Sequence, residues 1–167
     1  MSKFAFKVAT LTPVAVADVA DLTVDTYLGI VGNTATQRYD LSEVYMGGQG
    51  TSSAPMYMVL ARSSKVGSST AVSTIAGGNQ AALDTAATAA ASTVTFTSSV
   101  TKSQRGSNVG LLALSFNGFG GIVRWVAPPG SEIKGLGTAV STGEITLSAF
   151  TGGTPSAIGA HFIYEVY

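Results

Sequence analysis

The feature that most constrains this chain is alternation with a period of two. Phe4, Phe6 and Val8 fall on one side of a run whose other side is Lys3, Ala5 and Lys7. Side chains of a strand point alternately to opposite faces, so this pattern predicts a half-buried strand. Ile145, Leu147 and Ala149 alternate in the same way with Glu144, Thr146 and Ser148. In the final segment, Ile158 to Tyr167, Phe162, Tyr164 and Val166 alternate with His161, Ile163 and Glu165. Both of its faces carry apolar residues, which predicts a central strand or one covered by a neighbouring subunit.

Between these runs the punctuation is that of a β protein. Thr23 to Val31 is rich in β-branched and aromatic residues, and Glu43 to Met46 and Met56 to Ala61 are short apolar runs. Gly47 to Ser53 lies between the last two and predicts a turn. Asn117-Gly118 separates Leu111–Phe116 from Phe119–Val126, and Asn-Gly between two strand-like runs predicts a type I′ hairpin. Pro128-Pro129-Gly130 should end the second of those strands, because proline donates no hydrogen bond to a ladder. From Val66 to Thr101 the composition turns to Ala, Thr, Ser and Gly. Within it residues 79–91 are open to two readings, a short helix on alanine propensity or a long surface loop. The sum is an all-β fold: a jelly-roll-like antiparallel β-sandwich of about eight to ten short strands with little helix. No repeat at solenoid or propeller spacing is present.

Composition narrows the function. The 167 residues suffice for one domain that buries roughly 70% of its unfolded surface. Charged residues are only 11%, against about 25% in an average chain. Nine basic residues balance nine acidic ones. A nucleic-acid binder needs a basic surplus to displace counterions, and a membrane-surface helix needs a basic face; this chain has neither. No run approaches a membrane-spanning helix, and the alternating N-terminus does not read as a secretory signal. A surface of Ser, Thr, Gly and Ala is cheaper to desolvate than a charged one, which fits either extensive contact with other subunits or a Ser/Thr-rich secreted or surface domain.

The residues that chemistry would require are scarce. There is no cysteine, and His161 is the single histidine, so no hydrolase triad or zinc site suggests itself. Asp18, Asp21 and Asp25 offer oxygen ligands suited to calcium, but with no loop spacing and no glycine among them. They read as solvated acids or N-cap residues at the lead-in to a strand. Gly47-Gly48-Gln49-Gly50, Gly120-Gly121 and Gly152-Gly153 lack the Lys-Ser/Thr of a phosphate loop and read as turns. Trp125 reads as core, with Arg124 facing outward toward a loop acid or a neighbouring subunit. The expectation is a non-enzyme with no catalytic, cofactor-binding or metal-binding residue and no cofactor.

A resemblance supplies the rest. The run from Phe116 to Ile133, with Arg124-Trp125-Val126-Ala127-Pro128-Pro129-Gly130-Ser131-Glu132 at its centre, resembles a segment of small structural proteins of tailed bacteriophages, of the capsid decoration (cement) type. Glu43 to Gly50 and Met58 to Arg62 look like that family's first core strands, and Ala82-Leu83-Asp84 fits its central loop. The likeness spans roughly residues 40 to 167. It implies a virion protein on the capsid exterior, synthesised in the host cytoplasm. That protein would be a homo-oligomer, most simply a trimer, bound to the major capsid protein, with neither nucleic acid nor membrane as partner. Residues 1–35 would be an N-terminal arm or first strands in contact between subunits, and residues 36–167 the β-sandwich domain. The alternatives are another virion part (head fibre base, spike, tail or small coat protein) and a carbohydrate-binding β-sandwich module for host attachment. In the last, Tyr27, Tyr39, Tyr45 or Tyr57 would stack on sugar rings.

Overall fold

The computed structural model describes residues 2–11, 28–32, 36–63, 70–71, 80–83, 94–98, 110–136, 144–149 and 156–167. They contain no helix and twelve strands. These are β1 (Ser2–Leu11), β2 (Leu28–Gly32), β3 (Tyr39–Gln49), β4 (Pro55–Ser63), β5 (Thr70–Ala71) and β6 (Gln80–Ala82), followed by β7 (Val94–Ser98), β8 (Gly110–Asn117), β9 (Phe119–Val126), β10 (Ile133–Gly135), β11 (Glu144–Ala149) and β12 (Ile158–Val166). Every pairing among them is antiparallel. The first sheet runs β10-β3-β12-β1-β6, with β9 also on β3; the second runs β5-β7-β2-β11-β4-β8. The two pack together as a β-sandwich, as the alternation predicts. The count exceeds the expected eight to ten because β5, β6 and β10 are only two or three residues long.

The inner faces form one core. Phe4 and Phe6 of β1, Val44 and Met46 of β3 and Phe162 and Tyr164 of β12 meet Leu28, Ile30, Met56, Met58, Leu60, Ile145 and Leu147 of the second sheet. Phe4 lies opposite Tyr164 and Phe6 opposite Phe162, with ring centroids 5.7 and 6.3 Å apart. Such cross-strand aromatic pairs hold register, because a slip of one residue would turn both rings to solvent. β12 lies between β1 and β3, the central place its two apolar faces foretold. On β3 the register shifts opposite Ile163 and Tyr164, where Leu41 and Glu43 are the partners and Ser42 is the extra residue. This bulge lets Leu41 and Val44 both point inward, and Ser42 Oγ donates to the Ile163 carbonyl at 3.1 Å.

Several local expectations are corrected. Asn117-Gly118 is not a hairpin: β8 pairs with β4 and β9 with β3, so the chain leaves one sheet and enters the other there. A type I′ turn needs positive φ at both central residues, and Gly118 does not take it. Asn117 instead accepts the Phe119 N–H on Oδ1 at 2.8 Å and donates from Nδ2 to Ser53 Oγ at 2.8 Å. Beside this corner β3 crosses to β4 through residues 50–54, and the crossings are stitched by Gly50 N to Gly118 O and Gly118 N to Ala54 O, each 2.8 Å. β3–β4 and β8–β9 are thus one antiparallel ribbon folded over the edge of the sandwich. Gly47 to Gln49, expected in a turn, continue β3. Gln80 to Ala82 are neither helix nor loop but pair with Phe4 to Phe6 of β1, and the rest of residues 79–91 beyond Leu83 lies outside the described residues.

β9 and β10 lie end to end along β3, separated by the turn that begins at Pro128. Ser131 N donates to Pro128 O at 2.9 Å, and Gly130 has a φ of 83°.

Glycine is required where the crossings touch. A Cβ at Gly48 would meet the backbone carbonyls of Gly118 and Asn117, which cannot move aside as a flexible side chain can. Gly48→Ala should therefore destabilise the fold by about 1–3 kcal/mol, the usual cost of overpacking. Urea unfolding of the variant against the parent chain measures it.

Candidate functional site

The two outer faces differ. On the second sheet Val59 and Ala61 of β4 and Thr146 and Ser148 of β11 are buried, so β11 is covered on both sides. Thr146 Oγ1 donates to the Ala61 carbonyl at 3.3 Å. The outer face of the first sheet is open across β9, β3 and β12, and pairing fixes what it presents. Arg124, Tyr45 and His161 lie in one cross-strand row; Ile122, Gly47 and Gly159 form the next; Val126, Glu43 and Ile163 the one on the other side.

These rows enclose a groove of about 680 Å³. Its floor is largely glycine, from Gly47, Gly48, Gly120, Gly121 and Gly159, and its sides are Glu43, Tyr45, Gln49, Ile122, Arg124 and His161. Glycine makes the groove, since each missing side chain leaves a gap in a surface otherwise studded at every second residue. Arg124 bridges the diagonal to Glu43, donating from Nε to Oε1 at 2.8 Å and from Nη2 to Oε2 at 3.1 Å. This two-pronged geometry suits a guanidinium and a carboxylate. The hydrogen bond first, and then the negative charge of Glu43, hold the Arg124 guanidinium above its ordinary range.

The second exposed feature is the ribbon β8–β9. Along it Leu111, Phe119, Ile122 and Val126 are 37%, 61%, 64% and 52% exposed, apolar side chains displayed to solvent. β8 and β9 each have one ladder among the described residues, β8 on β4 and β9 on β3, and no described strand pairs with their other edges. Among the described residues the other terminal strands, β5, β6 and β10, are two or three residues long. β8 and β9 are eight residues each and nearly continuous around the Gly118 corner. Soluble proteins guard such edges with lysine, proline or inward charge. This one has Arg124 as its single charge and neither proline nor lysine.

The residues singled out in the sequence separate accordingly. Trp125 faces the core but is only half-buried, because β9 lies at the margin of its sheet. Arg124 points outward, as expected, though its acid comes from strand β3 and not from a loop. Of the tyrosines proposed for sugar stacking, Tyr45 is 38% exposed in the groove. Tyr39 is fully buried, its hydroxyl donating to Ile30 O at 2.6 Å, so it cannot serve. Tyr57 is half-buried against Val59 and Ala61. Asp18, Asp21, Asp25, Tyr27 and Gly152-Gly153 lie outside the described residues. No group of three His, Asp or Glu side chains able to hold a metal occurs among the described residues. The glycine floor was missed, because Gly47 and Gly159 acquire a joint meaning only once β3 and β12 are in register.

A scan against protein-family models finds no match, and a search of curated proteins finds no similar sequence.

Arg124→Gln should leave the thermal midpoint nearly unchanged, because an exposed ion pair contributes little net stability. A large drop in a melting curve would show that the Glu43–Arg124 bridge holds the fold as well as shaping the groove.

Proposed function

We propose that this chain is a virion structural protein, a decoration or cement subunit that binds the outer capsid surface of a tailed phage as a symmetric oligomer and stabilises the shell. The observation that carries this reading is the unguarded apolar edge of β8–β9. An edge of that length, bearing Leu111, Phe119, Ile122 and Val126 and one charge, is an aggregation hazard unless another protein covers it. The segment that carries the phage resemblance, Phe116 to Ile133, contains the whole of β9.

A cement subunit must tie neighbouring coat proteins together against outward pressure. The sandwich supplies a rigid body and the ribbon an adhesive margin, with each Å² of apolar surface buried there contributing about 25 cal/mol. A trimer is the proposed closed form, since rotational symmetry hides edges that an open array would leave exposed. The major capsid protein is the second partner; neither nucleic acid nor membrane is needed, and no catalytic group or cofactor enters the work. The finer jelly-roll assignment belongs to the same proposal and is supported by the ribbon that folds over the sandwich edge.

The pair of variants Phe119→Lys and Ile122→Lys tests the reading. Both side chains are exposed, so the fold should survive, with an unchanged circular dichroism spectrum. The parent chain should sediment at roughly three times 16.9 kDa and bind mature capsids. The lysine variants should lose the assembly, the capsid binding, or both. A parent chain that stays monomeric and ignores capsids would overturn the proposal.

One observation favours a second reading, a glycan-binding role. The groove sets one exposed tyrosine ring beside Gln49, His161 and a charge-balanced Glu43–Arg124 pair, a combination suited to an uncharged sugar with a flat apolar face. A strand added at the β9 edge would extend the sheet and leave this face open. A glycan array should then give binding that Tyr45→Ala abolishes; an array without signal removes this role.

A further inference from the structure

At the other end of β3 lies a smaller cavity of about 300 Å³, lined by Arg38, Arg62, Lys134, Gly135, Leu136 and Tyr167. Four separate pieces of the fold build it. Arg38 immediately precedes β3, Lys134 sits in β10 and Tyr167 follows β12, all in the first sheet, while Arg62 comes from the end of β4 in the second. Main-chain hydrogen bonds fix two of these pieces together: Arg38 N donates to Tyr167 O at 3.2 Å, and Tyr167 N donates to Arg38 O at 3.1 Å.

The charge here is unusual for this molecule. Of nine lysines and arginines in a chain of zero net charge, three line this one small cavity. One acid answers them. Asp40 accepts from Lys134 Nζ on Oδ2 at 2.9 Å and from the Tyr167 hydroxyl on Oδ1 at 2.9 Å, so both its oxygens are engaged. The Lys134 ammonium also lies 5.9 Å from the centre of the Tyr167 ring. The Asp40 hydrogen bond holds that ammonium above its ordinary range. Lys134 is therefore locally balanced. Arg38 and Arg62 are not: no carboxylate pairs with either among the described residues. Arg62 is half-buried, directly opposite the fully buried Ile145. Arg38 is exposed, so the cost of an unpartnered guanidinium drawn out of water falls on Arg62 alone, while two unpaired guanidinium groups lining one cavity repel each other.

We propose that this cavity is an oxyanion site in which Arg38 and Arg62 hold a carboxylate or phosphate group between the two sheets. The planar fork of arginine matches both groups with two parallel hydrogen bonds. Lys134, already fixed by Asp40, adds long-range attraction, and the Tyr167 ring walls one side. The volume fits a single small acidic group. That chemistry is common to free phosphate and to an acidic side chain presented by another protein, and the site stands whether or not the chain decorates capsids.

The test uses the full chain in an NMR titration that follows the arginine guanidinium signals, with ionic strength held constant by chloride. Inorganic phosphate is one titrant and a tetraglutamate peptide the other. Saturable shifts at Arg38 and Arg62 but not at Arg124 are expected for at least one of them. Saturation by phosphate alone identifies a small-anion site, and tighter saturation by the peptide identifies a seat for a protein carboxylate; either supports the proposal. The double variant Arg38→Gln, Arg62→Gln should bind the effective titrant about tenfold more weakly or worse, since it removes two charge-assisted partners. Should that variant unfold, Lys134→Gln provides the second comparison, with a smaller loss expected. No saturable shift with either titrant, or equal shifts at Arg124, overturns the proposal. So does undiminished affinity in a folded double variant.

Discussion

The contact on which the rest of this molecule depends is the meeting of two backbone crossings at Gly50 and Gly118. Hydrogen bonds of 2.8 Å tie each crossing to the other, and the missing side chain at Gly48 lets them approach. Because β3 turns into β4 there while β9 turns out of β8, one ribbon serves both sheets. That ribbon places Met46 and Met56 in the same core, sets β9 at the margin of the first sheet, and brings Ile122 and Arg124 beside Gly47 and Tyr45. Core, groove and exposed edge are three consequences of one corner.

The alternating runs made the strands and the inward-facing residues legible. Phe4, Phe6, Phe162 and Tyr164 are buried as their spacing requires, and two apolar faces did mark β12 as central. What failed was partner choice. Asn117-Gly118 carries the residues of a tight reversal, yet the ladders with β4 and β3 outcompeted a local one. In Gln80–Ala82 the pairing with β1 likewise overrode alanine's helical preference, a long-range contact defeating a local tendency. The groove was illegible for a related reason. Its tyrosine, histidine and arginine are separated by dozens of residues and form a row only through strand register. Tyr39 looked like its companions in composition, but the inward phase of β3 buried it.

The molecule divides its surface by chemistry. The second sheet is closed over β11, where even Thr146 and Ser148 are buried, whereas the first sheet displays a groove whose two charges cancel. The end of the sandwich near Arg38 and Arg62 gathers three of the nine basic residues of this neutral chain. An apolar margin, a balanced face and a basic end call for different neighbours, so contacts at one need not compete with contacts at another.

The proline turn between β9 and β10 has a consequence for how far any added strand can run. Past Ala127, whose N–H still donates to Ser42 O of β3 at 2.9 Å, Pro128 and Pro129 have no N–H to offer, and only the three residues of β10 resume the line. A visiting strand zipped along β9 would therefore meet a terminator after about two dozen ångströms, at the rise per residue of an extended chain. The seat offered to a visiting strand thus has a set length, that of the eight residues of β9, and a longer extended segment would overhang it.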